Sequence, residues 1–98
     1  MNKTYLFRQA LARYGLSNQL TVAMEECGEL TQALSKYLRA DADREASREA
    51  IAEEIADVQI MCEQVALFLG IQGKVAARQH EKLERLDERL RGDDYEAD

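Results

Sequence analysis

The stretch "LTVAMEECGELTQALSKYL", residues 20–38, decides the fold, because its apolar residues return every three or four positions. That spacing is the period of an amphipathic α-helix. Leu20, Ala23, Met24, Cys27, Leu30, Leu34, Tyr37 and Leu38 form one stripe, which reads as core-facing. At about 100° per residue, Glu26 falls at the edge of the stripe, and Glu25 points nearly opposite. Glu29 follows one turn later on the flank of Glu26, with Val22 and Ala33 beside it. A second stretch, "AEEIADVQ" at residues 52–59, repeats the arrangement. Its stripe is Ile51, Ile55, Val58, Cys62, Val65 and Leu69, and Glu54 lies within it. Asp57 stands on the flank shared by Ala50, Met61 and Phe68, while Glu53 turns towards water.

Outward from these two segments the helical period continues, proline is absent and strand-like alternation does not occur. The spacing predicts a first helix over about Lys3 to Tyr14, stopped by Gly15 as a left-handed C-cap. Ser17 is expected to N-cap the second helix, which runs to about Arg39. "ADADREAS" lacks large apolar residues, so a connection is expected near Ala40 to Asp43. The third helix then runs to about Leu69 and ends at Gly70, and the fourth covers about Gln72 to Arg91. An acidic tail over about 92–98 is expected to be disordered. The fold class is all-α: one domain over 1–98, built as a four-helix bundle.

Composition narrows the function. The chain has 98 residues, 46% hydrophobic and 33% charged, which suits a single folded domain rather than a disordered segment. So small a core gains from burying a further face in an oligomer. A formal charge of −6 offers no footprint for a nucleic-acid polymer or an anionic membrane. No run approaches the ~20 apolar residues of a membrane span, and "MNKTYLFRQALARYG" is too interrupted by charge for a signal peptide. Cys27 and Cys62 are far apart and lack zinc spacing; they read as buried free thiols of a cytoplasmic protein.

The acidic residues divide by position. Glu25 and Glu53 are solvated and need no partner. Glu26 with Glu29, and Glu54 with Asp57, form two pairs of three-residue spacing on flanks that border core. If the two long helices pack antiparallel, the pairs face each other. Four convergent carboxylates repel one another and resist desolvation, so they either stay wet, bind protons or hold a cation. Oxygen-only ligands suit Mg²⁺ or Mn²⁺. The one histidine, His80, belongs to neither pair, which counts against zinc and against a di-iron bundle with Glu-x-x-His motifs.

"EECGE" followed after 24 residues by "EIAD" resembles the EExxE and ExxD signature of the MazG-like, all-α nucleoside triphosphate pyrophosphohydrolases. The similarity covers about residues 17–91. It implies a helical bundle that holds Mg²⁺, with Mn²⁺ able to substitute, on Glu26, Glu29, Glu54 and Asp57. It implies cleavage of nucleoside triphosphates between the α and β phosphates, giving a monophosphate and pyrophosphate. Mg²⁺ would neutralise phosphate oxygens and acidify the attacking water; one carboxylate, for instance Glu29, is free to orient that water. Lys36 lies two turns beyond Glu29, and Lys82 with Arg85 resembles a C-terminal K-x-x-R of small relatives. Each is a candidate phosphate contact or a solvated cation. The resemblance also implies a homodimer or homotetramer. Met61 stands where some relatives carry an aromatic residue. Two other readings compete: a phosphoribosyl-ATP pyrophosphohydrolase, and a non-catalytic helical oligomerisation module. The Leu83, Leu86 and Leu90 spacing supplies an oligomer seam compatible with the enzyme and the module alike.

Overall fold

In the computed structural model of the chain, residues 1–39 and 41–97 are described, with side chains as far as Gly92. The expected disordered tail over about 92–98 therefore lies almost wholly outside the described side chains, and Ala40 lies outside the described residues. Four helices follow in order: α1 (Lys3–Tyr14), α2 (Leu16–Tyr37), α3 (Arg44–Phe68) and α4 (Gln72–Ala97). Among the described residues there is no strand, and no helix is long and apolar enough to cross a membrane.

Local chemistry explains each boundary. Asn2 N-caps α1, its side chain accepting from the Tyr5 N–H at 3.0 Å. Gly15 then serves two helices at once. Its N–H closes α1 on the Leu11 carbonyl at 2.9 Å, and its φ of 83° with ψ of 157° is backbone that essentially only glycine adopts. Because α2 starts directly after Gly15, Ser17 lies inside the first turn and is not the cap expected from the sequence. Its carbonyl instead accepts from the Thr21 hydroxyl.

α2 ends at Tyr37, slightly before the expected Arg39, because Leu38 and Arg39 tighten into three-residue turns on Ser35 and Lys36. Arg44 closes the connection by donating to the Tyr37 carbonyl and stacking 4.7 Å from the Tyr37 ring centre. Asp43 caps α3 through the Ala46 N–H at 3.1 Å. At the far end, Ile71 donates to Ala66 and Gly70 to Leu67, with Gly70 at φ 65°: a Schellman stop.

The short connection over 38–43 folds α3 back on α2, and this antiparallel pair is by far the most extensive helix contact. α1 lies against both, pinned to α3 by an exposed Lys3–Glu63 ion pair of 3.0 Å. Such a pair orients more than it stabilises. α4 touches α3 at few points and does not reach α2.

The core differs from the expected stripe. Among the described residues the buried apolar side chains are Ala33, Met61 and Ala66, and no large side chain is fully enclosed. Met24, Leu34, Leu38, Ile55 and Leu69, all read as core-facing, are exposed. Cys27 and Cys62 are exposed as well, which corrects the expectation of buried thiols. The physical reason is rotation: the α2–α3 seam centres on the carboxylate edge of each stripe. Gln19, Glu26, Ala33 and Tyr37 face it from α2, and Glu54, Met61 and Val65 from α3. The other half of each stripe turns outward.

Candidate metal centre

Glu26 and Glu29 project from neighbouring turns of α2, and the antiparallel return of α3 brings Glu54 to them. One carboxylate oxygen from each of the three lies within 4.8 Å of the others. Oxygens on opposite sides of an Mg²⁺ shell stand about 4.2 Å apart, from bonds of ~2.1 Å, so the cluster is close to ligand spacing. Asp57 is exposed at the margin, near enough for its charge to act on both Glu26 and Glu54. Glu25 and Glu53 are exposed and outside the cluster, as their wheel positions require.

Burial and like charge both act against ionisation of Glu26 and Glu54. Glu26 and Glu54 are half-buried, and each has one oxygen, Oε2, shut away from solvent with no hydrogen-bond partner among the described residues. Desolvation raises the pKa of both carboxyls above the ordinary value, and the charge of Glu29 then Asp57 raises it further. The strongest charges acting on either group are all acidic. A buried acceptor without a donor is costly, and here two residues with such an acceptor belong to one carboxylate cluster. A divalent cation with a preference for hard oxygen ligands answers both deficits, so the donor set fits Mg²⁺ or Mn²⁺.

No family model, curated protein or solved structure matches this chain. The site therefore stands on its own residues.

The candidate phosphate contacts are less concentrated. Lys36 is exposed on α2, seven residues after Glu29 and so on nearly the same flank. Lys82 and Arg85 are exposed on α4, and a single chain makes no contact between α4 and α2. Glu26 and Glu29 are thus brought together with Glu54, with Asp57 adjacent, whereas Lys82 and Arg85 stand on a helix that meets α3 at few points and does not meet α2.

Two polar residues were missed in the sequence. Gln19 and Gln64 are both buried. Gln64 Nε2 finds only the Met61 sulfur at 3.3 Å, and its Oε1 has no partner. The signal was present, since Gln19 precedes Glu26 by seven residues and Gln64 follows Asp57 by seven. Two helical turns place each almost on the line of its carboxylate, so a polar track continues along the seam away from the acids.

Proposed function

We propose that the chain is a Mg²⁺-dependent nucleotide pyrophosphohydrolase of the MazG-like, all-α type. It would act in the cytoplasm as a homodimer or homotetramer. The observation that carries the reading is the pair of partnerless, enclosed oxygens, Glu26 Oε2 and Glu54 Oε2, inside a three-carboxylate cluster. They stand on the same residues that give the EExxE and ExxD resemblance.

Glu26, Glu29, Glu54 and Asp57 hold the cation, which when bound supplies charge neutralisation for the phosphate chain and a more acidic water. Glu29 is the exposed member of the cluster. It is therefore placed to reach solvent, orient the attacking water and take its proton. The water oxygen bonds to the α phosphorus, the bond to the bridging oxygen breaks, and pyrophosphate leaves with the electron pair. Lys36 shares the Glu29 flank and is the basic residue that α2 can offer to a phosphate oxygen.

A panel of canonical and modified nucleoside triphosphates with Mg²⁺ or Mn²⁺, assayed for pyrophosphate, tests this. At least one nucleotide is expected to yield a monophosphate and pyrophosphate, with Glu54→Gln slower by ~10²-fold or more. Turnover of phosphoribosyl-ATP alone would move the assignment to that substrate. Pyrophosphate release unchanged in Glu54→Gln would remove the proposal.

A further inference from the structure

The carboxylate cluster has two unlike ends. On α2, Asn18, Val22, Glu29 and Lys36 recur at intervals of four and seven residues and so share one flank. On α3, Ile60, Gln64 and Phe68 follow Asp57 by three, seven and eleven residues and share its flank. Towards the α2–α3 connection the cluster is followed by Lys36. In the opposite direction the next residues on these flanks, Asn18, Val22, Ile60, Gln64 and Phe68, are all uncharged. Glu63, the nearest acid of α3 beyond Asp57, is engaged by Lys3 at 3.0 Å. A nucleotide has the same polarity, with phosphates at one end and an uncharged base at the other.

One residue at the uncharged end is polar, enclosed and unsatisfied. Gln64 is 7% exposed, and its Oε1 is shut from solvent with no hydrogen-bond partner among the described residues. Its Nε2 donates to the Met61 sulfur at 3.3 Å, a weak acceptor. An amide buried with one weak bond is costly, and an apolar side chain of similar size would fill the seam without that cost. Gln64 stands seven residues beyond Asp57, ~10 Å along the axis, within reach of the base of a nucleotide whose phosphates lie on the acids. Gln19, 6% exposed and seven residues before Glu26, marks the same level on α2.

We propose that Gln64 reads the nucleobase of the substrate. Its amide pairs with the Watson–Crick edge of the base, Oε1 accepting a base N–H and Nε2 donating to the acceptor beside it. A glutamine amide pairs with a base edge in this two-bonded way when proteins read nucleic acids. The thioether of Met61 gives up the amide at little cost, and its flexible side chain adapts to the change. Pairing then exchanges one weak hydrogen bond for two. Ile60, 45% exposed on the same flank, offers the base an apolar contact. The ligand class is a nucleotide whose base carries an N–H next to an acceptor, lying with its phosphates towards Lys36. The assignment rests on the proposed nucleotide chemistry of the cluster; it adds the direction of the substrate and the residue that checks its base.

Calorimetry with α,β-methylene nucleoside triphosphates, in which carbon replaces the scissile oxygen, reads binding without turnover. At fixed Mn²⁺, the tightest binder among the four common bases is compared with an analogue methylated so that its Watson–Crick edge keeps no N–H. The wild type is expected to bind the parent about tenfold or more tighter, the cost of leaving a buried acceptor unpaired. In Gln64→Met, similar in shape but without an amide, that ratio is expected to fall close to one. Because the ratio is taken within one protein, a general loss of fold or of metal cancels. Equal affinity of the wild type for parent and analogue would overturn the inference, and so would a ratio unchanged in Gln64→Met or no binding of any of the four. Pyrophosphate release alongside an unchanged ratio would leave the hydrolase standing without Gln64 as its base reader. A ratio lost in Gln64→Met without pyrophosphate release from any nucleotide would keep Gln64 and remove the hydrolase.

Discussion

At the scale of single residues, the deciding contrast is between acids that look alike in the sequence. Glu25 and Glu26 are neighbours, yet Glu25 is solvated and Glu26 has an oxygen shut away from solvent without a donor among the described residues. The same holds for Glu53 and Glu54. Raised carboxyl pKa values have a defined consequence for stability. The folded state binds the proton of Glu54 more tightly than the unfolded chain does, so this contribution is lost as pH rises above the ordinary value of 4.5. Without divalent cations, Glu54→Gln is therefore expected to melt higher than the wild type at neutral pH, with the difference vanishing below the carboxylate range. Adding Mg²⁺ should raise the wild-type melting temperature and leave that of Glu54→Gln nearly unmoved. A variant less stable than wild type at neutral pH in the absence of metal would show that the carboxylate is already satisfied. The division of the four acids was legible from the helical wheel, because burial of a carboxylate depends first on its angle around the axis. That Asp57 stands at the margin while Glu29 joins both helices was not legible, since it depends on the rotation of α2 against α3.

At the scale of the element, glycine explains what could and could not be read. Gly15 and Gly70 stop helices in both sequence and structure, because their φ of 83° and 65° is closed to most other residues. The cap at Ser17 failed because Gly15 ends one helix and starts the next without a spare residue. Gly28 carries a different lesson. It lies between Glu26 and Glu29 inside α2, and a Cβ built there meets nothing within 4 Å. Gly28→Ala is thus expected to stabilise the chain by about 1 kcal/mol through helix propensity alone, measured by urea unfolding. Destabilisation would mean that a second copy or a ligand occupies that space. The apolar stripes of α2 and α3 were legible as apolar but misread as the core of one chain. Periodicity reports which side of a helix is apolar, not how far that side is rotated into the seam.

At the scale of the molecule, the two faces of the α2–α3 hairpin have opposite characters. One gathers carboxylates, two of which each enclose an oxygen without a hydrogen-bond partner among the described residues; the other exposes apolar side chains. A cation for the first face and an oligomer contact for the second are both proposals, and each can be tested without the other. The cation comes first, because the proposed hydrolysis depends on it. Calorimetric titration of the wild type with Mn²⁺ is expected to show binding, and Glu54→Gln is expected to bind at least about tenfold more weakly, the loss of one charged ligand from the shell. Equal Mn²⁺ affinity in the two proteins would contradict the metal centre, and the proposed hydrolysis with it.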